Sequence, residues 1–170
     1  VKAGQKCTAI RKALVPRRFL GEFVAALQAK LAATVVGDPR TPGVGMGPLA
    51  SLAQRDEVLA RVAELEQESE RVAGDPRRFE VTGGDRERGA FLPPMLLVCR
   101  DVAGARAVHA VEAFGPVSTA IAYDTPAEAI ALARLGEGSL AGSVFTADDA
   151  LAAQFVLGLA PYHGRVLVVN

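Results

Sequence analysis

Thiols, histidines, net charge and long apolar runs are all scarce in this sequence, and each shortage closes off a class of function. The 170 residues contain two cysteines, Cys7 and Cys99, and two histidines, His109 and His163. Two thiols are too few for a disulfide framework, and no cysteine or histidine has a partner at metal-ligand spacing, so no metal is expected. Lys+Arg and Asp+Glu number 19 each, giving formal zero charge. That removes the bulk attraction a non-specific nucleic-acid binder relies on, and no nucleic-acid partner is expected. No apolar run approaches the roughly 20 residues of a membrane span and no signal-peptide pattern is visible. A soluble, cytoplasmic protein in a reducing compartment, with no membrane partner, is the expectation. With no internal repeat, no low-complexity stretch, no G-x-S-x-G elbow and no acid pair set apart by pattern, a serine hydrolase or glycosidase has no support.

What is present suits a packed domain. Half the residues are hydrophobic, 22 % are charged and the mean hydropathy is +0.23. A chain of this length can bury roughly 70 % of its unfolded surface. Ala9–Val15 predicts a strand closed by Pro16. Phe19, Phe23, Leu27 and Leu31 then recur every four residues, with Leu20 and Val24 widening the stripe, which predicts a helix from Arg17 to Val36 ended by Gly37 and Pro39. A second helix is expected from about Ser51 to Val72, with Val58, Val62 and Leu65 inward. Its run Glu64, Glu66, Glu68 and Glu70 reads as a solvated face rather than a cation site. Phe79–Thr82 predicts a short strand, and Met95–Cys99 a continuous apolar strand buried on both faces.

The second half alternates. Val117–Tyr123 predicts a strand. Thr125-Pro126-Ala127-Glu128 is a capping box with proline at the first helical position, launching a helix to about Leu135. Ala141–Phe145 predicts a strand, Asp148 caps a helix through Leu159, and Arg165–Val169 predicts a last strand. Strands and helices in turn, joined by short connections, predict an α/β fold with an open, mostly parallel sheet flanked by helices.

Two places carry candidate chemistry. Cys7 lies in Gly4-Gln5-Lys6-Cys7-Thr8-Ala9, a glycine-containing turn with small neighbours and a basic one. A nucleophilic thiol needs open approach, nearby backbone N–H groups and surroundings that favour thiolate. Taken alone, a lone cysteine is more often a buried hydrophobe. Cys99, inside the apolar run, reads as core. In Glu112-Ala113-Phe114-Gly115-Pro116 a carboxylate could accept paired hydroxyls such as those of a ribose, and the ring could lie against a planar heterocycle; a structured turn with a core Phe is the simpler alternative. Gly45-Met46-Gly47-Pro48-Leu49-Ala50 matches GxGxxA formally. It follows a helix instead of a strand and contains Pro48, so it is not read as a phosphate cradle.

Together with Val36-Gly37-Asp38-Pro39, Met46-Gly47-Pro48-Leu49, Leu140–Thr146 and Gly164–Asn170, these motifs resemble, in order and spread, the NAD(P)-dependent aldehyde dehydrogenases. The opening Val1-Lys2-Ala3-Gly4-Gln5-Lys6-Cys7-Thr8-Ala9-Ile10-Arg11 is similar to the branch acting on CoA-linked semialdehydes in aromatic and phenylacetate degradation. The resemblance implies that residues 1–170 form the cysteine-bearing catalytic domain. Cys7 would attack the aldehyde carbonyl to give a thiohemiacetal, and its N–H would form half of an oxyanion hole. Glu112 would hold the nicotinamide ribose and Phe114 would flank it, with NAD or NADP bound mainly by a nucleotide-binding domain outside this stretch. The general-base Glu would also lie outside, as would the strands that close a homo-oligomer. The chain opens on Val1, so a piece of a longer protein is expected, inactive when isolated. An inactive stand-alone remnant and a CoA-acylating dehydrogenase are the alternatives.

Overall fold

The computed structural model describes residues 2–136 and 138–170; Val1, which opens the amino-terminal motif, and Glu137 lie outside the described residues. The main sheet has four strands: β1 (Lys12–Pro16), β2 (Glu70–Ala73), β3 (Met95–Cys99) and β4 (Val117–Tyr123), in the order β1-β4-β3-β2. β1 and β3 both run parallel to β4, with Lys12 opposite Thr119 and Met95 opposite Val117. β2 is an antiparallel edge whose register slips between Arg71 and Ala73. A separate parallel pair joins β5 (Gly142–Phe145) to β6 (Val166–Val169). The open, mostly parallel sheet flanked by helices is the architecture expected from the sequence.

Helices cover both faces of the main sheet. On one, α1 (Leu20–Ala32) lays Leu20, Phe23, Val24, Leu27 and Leu31 against Leu96, Val98 and Ala120. On the other, α2 (Leu52–Leu65) places Val58, Val62 and Leu65 in the cluster that holds Met95, Leu97, Cys99 and Ile121. Covered twice, β3 is buried at every residue, and that is why it reads as an unbroken apolar run. Each of its larger side chains contributes about 1.5–3 kcal/mol by leaving water.

The polar chemistry of the chain sets the helix ends. Ser51 accepts the Gln54 N–H at the start of α2. Thr125 accepts the Glu128 N–H at the start of α4 (Pro126–Arg134), while the Glu128 carboxylate takes the Asp124 N–H at 2.7 Å. Asp148 accepts from Ala150 and Leu151 at the start of α5 (Asp149–Leu159). A single turn, α3 (Ala107–Ala110), precedes β4.

Three expectations are corrected. The first helix is shorter at both ends. Arg17–Phe19 is a 3-10 turn with Phe19 exposed beneath Arg18, and beyond Ala32 the β-branched Thr34-Val35-Val36 run leaves the helix so that Val36 bridges Met46. The second helix stops at Leu65, not Val72: Val72 and Ala73 belong to β2 and help cover the α1 face of the sheet. The glutamates therefore do not share one helical face. Phe79–Thr82 is reduced to one bridge, between Thr82 and Gly37.

Candidate active site

Cys7 sits on a reverse turn closed by the Ala9 N–H donating to the Lys6 carbonyl at 2.9 Å. The thiol-bearing residue is exposed. Among the described residues no acceptor engages the Cys7 N–H. The loop is anchored by Gln5: its carbonyl oxygen accepts the Ala50 N–H at 2.9 Å, and its amide donates to Gln54 at 2.7 Å. Those two bonds tie the turn to the start of α2.

The second candidate segment meets this loop directly. Gly4, at φ +72°, passes so close to Gly115 that a Cβ there would overlap the Gly115 carbonyl and lie 2.8 Å from the Pro116 nitrogen. On the far side Gly115 packs against the buried Val58 of α2. The backbone is strained on both sides of the contact. Among the described residues only Ala3 (φ 45°) and Phe114 (φ 47°) hold a positive φ without being glycine, and they are the neighbours of Gly4 and Gly115. Such conformations cost of order 1–3 kcal/mol each and persist where surroundings over-determine them. Phe114 is 44 % exposed and does not join the core.

An open cleft is lined by Gly4, Lys6, Ala9 and Arg11 from the first segment and by Glu112 and Phe114 from the second. Cys7 is not itself a lining residue; it is exposed on the turn between Lys6 and Ala9. Glu112 is exposed, and among the described residues its carboxylate has no hydrogen-bond or ionic partner. Glu112 and Phe114 thus line the cleft together, while Cys7 is exposed on the turn whose Lys6 and Ala9 line it.

Cys99 is the contrast. It is wholly buried, its Sγ lies 3.4 Å from the Asp101 carbonyl, and burial pushes its pKa up. The GxGxxA loop holds its chain by backbone bonds to Val35 and Ala90, with Met46 and Leu49 buried, and no helix opens within it. His163 lies with Nδ1 3.1 Å from the Leu159 carbonyl oxygen. Among the described residues no group of three or more His, Cys, Asp or Glu is gathered to hold a metal ion, and no helix is long and apolar enough to cross a membrane.

Sequence reasoning gave no role to Gln5, Arg11, Lys12, Glu68 or His109. Glu68 accepts the N–H groups of Arg106 and Val108, capping α3, and those bonds hold its carboxyl below the ordinary range. Arg11 donates to the His109 carbonyl at 3.1 Å, and Lys12 Nζ lies 3.3 Å from His109 Nδ1. Burial, with Arg11 adding to it, lowers Lys12 to about 8. His109 is lowered by burial and by Lys12.

Comparison with known proteins adds an independent line. The family model described as "Aldehyde dehydrogenase family" matches residues 1–161. A 3,4-dehydroadipyl-CoA semialdehyde dehydrogenase of Aromatoleum evansii is 45 % identical over 170 residues, 100 % of this chain and 33 % of that protein. Protein MaoC of Klebsiella aerogenes is 41 % identical over 128 residues, 74 % of this chain and 36 % of its own length. Among solved structures, betaine aldehyde dehydrogenase of Staphylococcus aureus in complex with NAD+ superposes with a TM-score of 0.86 at 28 % identity, covering 98 % of this chain and 32 % of that one. A mutant of aldehyde dehydrogenase C from Pseudomonas syringae with NAD+ and octanal gives 0.84 at 31 %, covering 99 % and 33 %. The chain therefore spans about a third of the length of the relatives it matches. With the family model matching residues 1–161 of 170, and the same backbone recurring in solved relatives, the chain belongs to the aldehyde dehydrogenase family.

Proposed function

We propose that this chain is the cysteine-bearing catalytic segment of a longer NAD(P)-dependent aldehyde dehydrogenase, and that its substrate is a CoA-linked semialdehyde of aromatic degradation. The substrate class is carried by the relative at 45 % identity, whose name specifies a CoA semialdehyde. The nucleophile assignment is carried by one observation: an exposed thiol on a turn that shares a cleft, and a strained contact, with an unpartnered carboxylate and an outward aromatic ring.

The chemistry follows from what each group offers. The Cys7 sulfur bonds to the aldehyde carbonyl carbon, and the carbonyl oxygen takes up the developing charge beside the unengaged Cys7 N–H. A bound NAD(P)+ would supply the acceptor for the hydride that leaves that carbon. Cys7 then holds the substrate as a thioester until water releases the acid and returns the thiol. The residues present fit the nicotinamide end of the cofactor: the Glu112 carboxylate is free to accept paired ribose hydroxyls, and the exposed Phe114 ring offers a flat apolar face. Neither feature selects NAD over NADP.

In this reading the general base and most of the cofactor-binding surface belong to the remainder of the dehydrogenase. Loss of a positioned base alone typically removes about a hundredfold or more in rate. The 170-residue chain by itself is expected to show no measurable turnover. The test is steady-state oxidation of a CoA semialdehyde by the dehydrogenase that contains this segment, with Cys7→Ala and Glu112→Gln beside wild type. Cys7→Ala should abolish turnover and Glu112→Gln should weaken cofactor use. Retained turnover in Cys7→Ala, or a cofactor-dependent rate in the 170-residue chain that Cys7→Ala removes, would contradict the proposal.

A further inference from the structure

We infer that Lys12, acting through His109, is a positioning residue that holds the turn bearing Glu112 and Phe114 in register with the loop bearing Cys7. The inference rests on the roles proposed above for those three residues.

α3 ends two residues before Glu112. Four helical residues are far too few to be stable unaided, so the direction in which the chain enters the Glu112 turn depends on what grips α3 from outside. Both ends are gripped by distant residues. At the start, the Glu68 carboxylate accepts the Arg106 and Val108 N–H groups at 3.0 and 3.3 Å. At the end, Arg11 donates to the His109 carbonyl at 3.1 Å, and Lys12 reaches the His109 ring. Arg11 and Lys12 are also the residues by which the Cys7 loop enters the sheet. The Arg11 carbonyl accepts the Thr119 N–H at 2.9 Å, and Lys12 opens the register with β4. One dipeptide thus binds the sheet through its backbone and α3 through its side chains. Any shift of the nucleophile loop along β4 carries the Glu112 turn with it.

The contact selects a ring state while Lys12 is charged. A charged lysine has only donors, so it can bond His109 Nδ1 only when that nitrogen is unprotonated, which leaves the proton of the neutral ring on the buried Nε2, where no partner meets it. His109 is 6 % exposed, and the groups facing it are Lys12 and Arg11 from the strand side and Glu68 from the far end of α3. A second positive charge beside two cations would break the bond, and burial and Lys12 both disfavour it. An apolar residue in place of Lys12 would fill space but fix no angle. Together with the bonds from Arg11 and Glu68, this contact at the ring fixes how α3 is turned about its axis.

The experiment uses the full chain. Ring nitrogen resonances of 15N-histidine should show His109 neutral at pH 7 with its proton on Nε2. Amide exchange followed by mass spectrometry should be about tenfold faster over 106–114 in Lys12→Met than in wild type, with 95–99 and 117–123 unchanged. Lys12→Arg, which keeps a donor, should restore most of that protection. A proton on Nδ1 at pH 7 overturns the inference, as does wild-type exchange over 106–114 in Lys12→Met. Should Lys12→Met exchange faster everywhere, wild-type behaviour of Lys12→Arg supports the need for a donor, and uniform acceleration in both variants overturns it. In the assembled dehydrogenase Lys12→Met should raise KM for NAD(P)+ more than it lowers kcat. An exchange effect without that KM effect removes the cofactor role of Glu112 and the positioning function with it. An absence of wild-type turnover would tell against the proposed function alone.

Discussion

Gly4→Ala probes the place where the cysteine loop and the Glu112–Pro116 turn touch, and its cost can be worked from two separable causes. Gly4 holds φ +72°, a conformation that costs an L-residue about 1–2 kcal/mol. A Cβ there would also collide with the Gly115 carbonyl and sit 2.8 Å from the Pro116 nitrogen, all backbone that cannot rotate aside. Forced overpacking of this kind costs typically about 1–3 kcal/mol more, so the variant should lose about 2–5 kcal/mol. That is a large share of the roughly 5–15 kcal/mol that holds a domain folded. Two controls separate the causes. Gly43 has φ +85° with nothing within 4 Å, so Gly43→Ala should show only the conformational cost. Gly21 lies in α1 with nothing within 4 Å, and Gly21→Ala should stabilise by about 0.5–1 kcal/mol. Urea unfolding of the three variants gives the values. A Gly4→Ala midpoint equal to that of Gly43→Ala would refute the close approach of the two segments.

Other outcomes follow from the same contacts. Gln5→Ala removes both bonds that anchor the cysteine turn to α2 and should speed amide exchange across 4–9 severalfold while leaving β3 protected, read by mass spectrometry. Ser51→Ala should cost about 1 kcal/mol in urea unfolding through loss of the α2 cap. His109 resists protonation in the fold, so the unfolded chain binds that proton more readily. Stability should therefore fall as pH drops through the ordinary histidine value of 6.5 and level off below the depressed folded value, and the slope should shrink in His109→Gln. The β5–β6 pair leaves Phe145 and Leu167 exposed, and Leu157 of α5 is exposed too, so the chain should self-associate in light scattering and Leu157→Glu should reduce it.

Legibility in the sequence tracked how local the causes were. β3 was readable because burial on both faces leaves an uninterrupted apolar run. α4 and α5 were readable because their caps lie within a few residues of their starts. The segment after Leu65 was not. Its glutamates favour a helix locally, but Arg71 and Ala73 gain more by pairing with β3, Val72 and Ala73 cover the sheet, and Glu68 is drawn to α3, which is distant in sequence. Phe19 continued the four-residue spacing but falls in the tight turn after Pro16, before the helix proper. At the site, Cys7, Glu112 and Phe114 each sit in a compact run of small or turn-forming residues, so they could be singled out. Lys12 and His109, 97 positions apart, look in sequence like an ordinary strand lysine and a lone histidine; only the pairing of β1 with β4 brings them together.

The central claim is that Cys7 forms the covalent bond to substrate. The direct measurement is peptide mass spectrometry of the assembled dehydrogenase, acid-quenched during turnover with a CoA semialdehyde and NAD(P)+. The acyl mass should be found on the peptide containing Cys7, with Cys99 unmodified, and should vanish in Cys7→Ser. An acyl group on any other residue, or steady turnover with Cys7 unmodified and replaceable, would contradict the account.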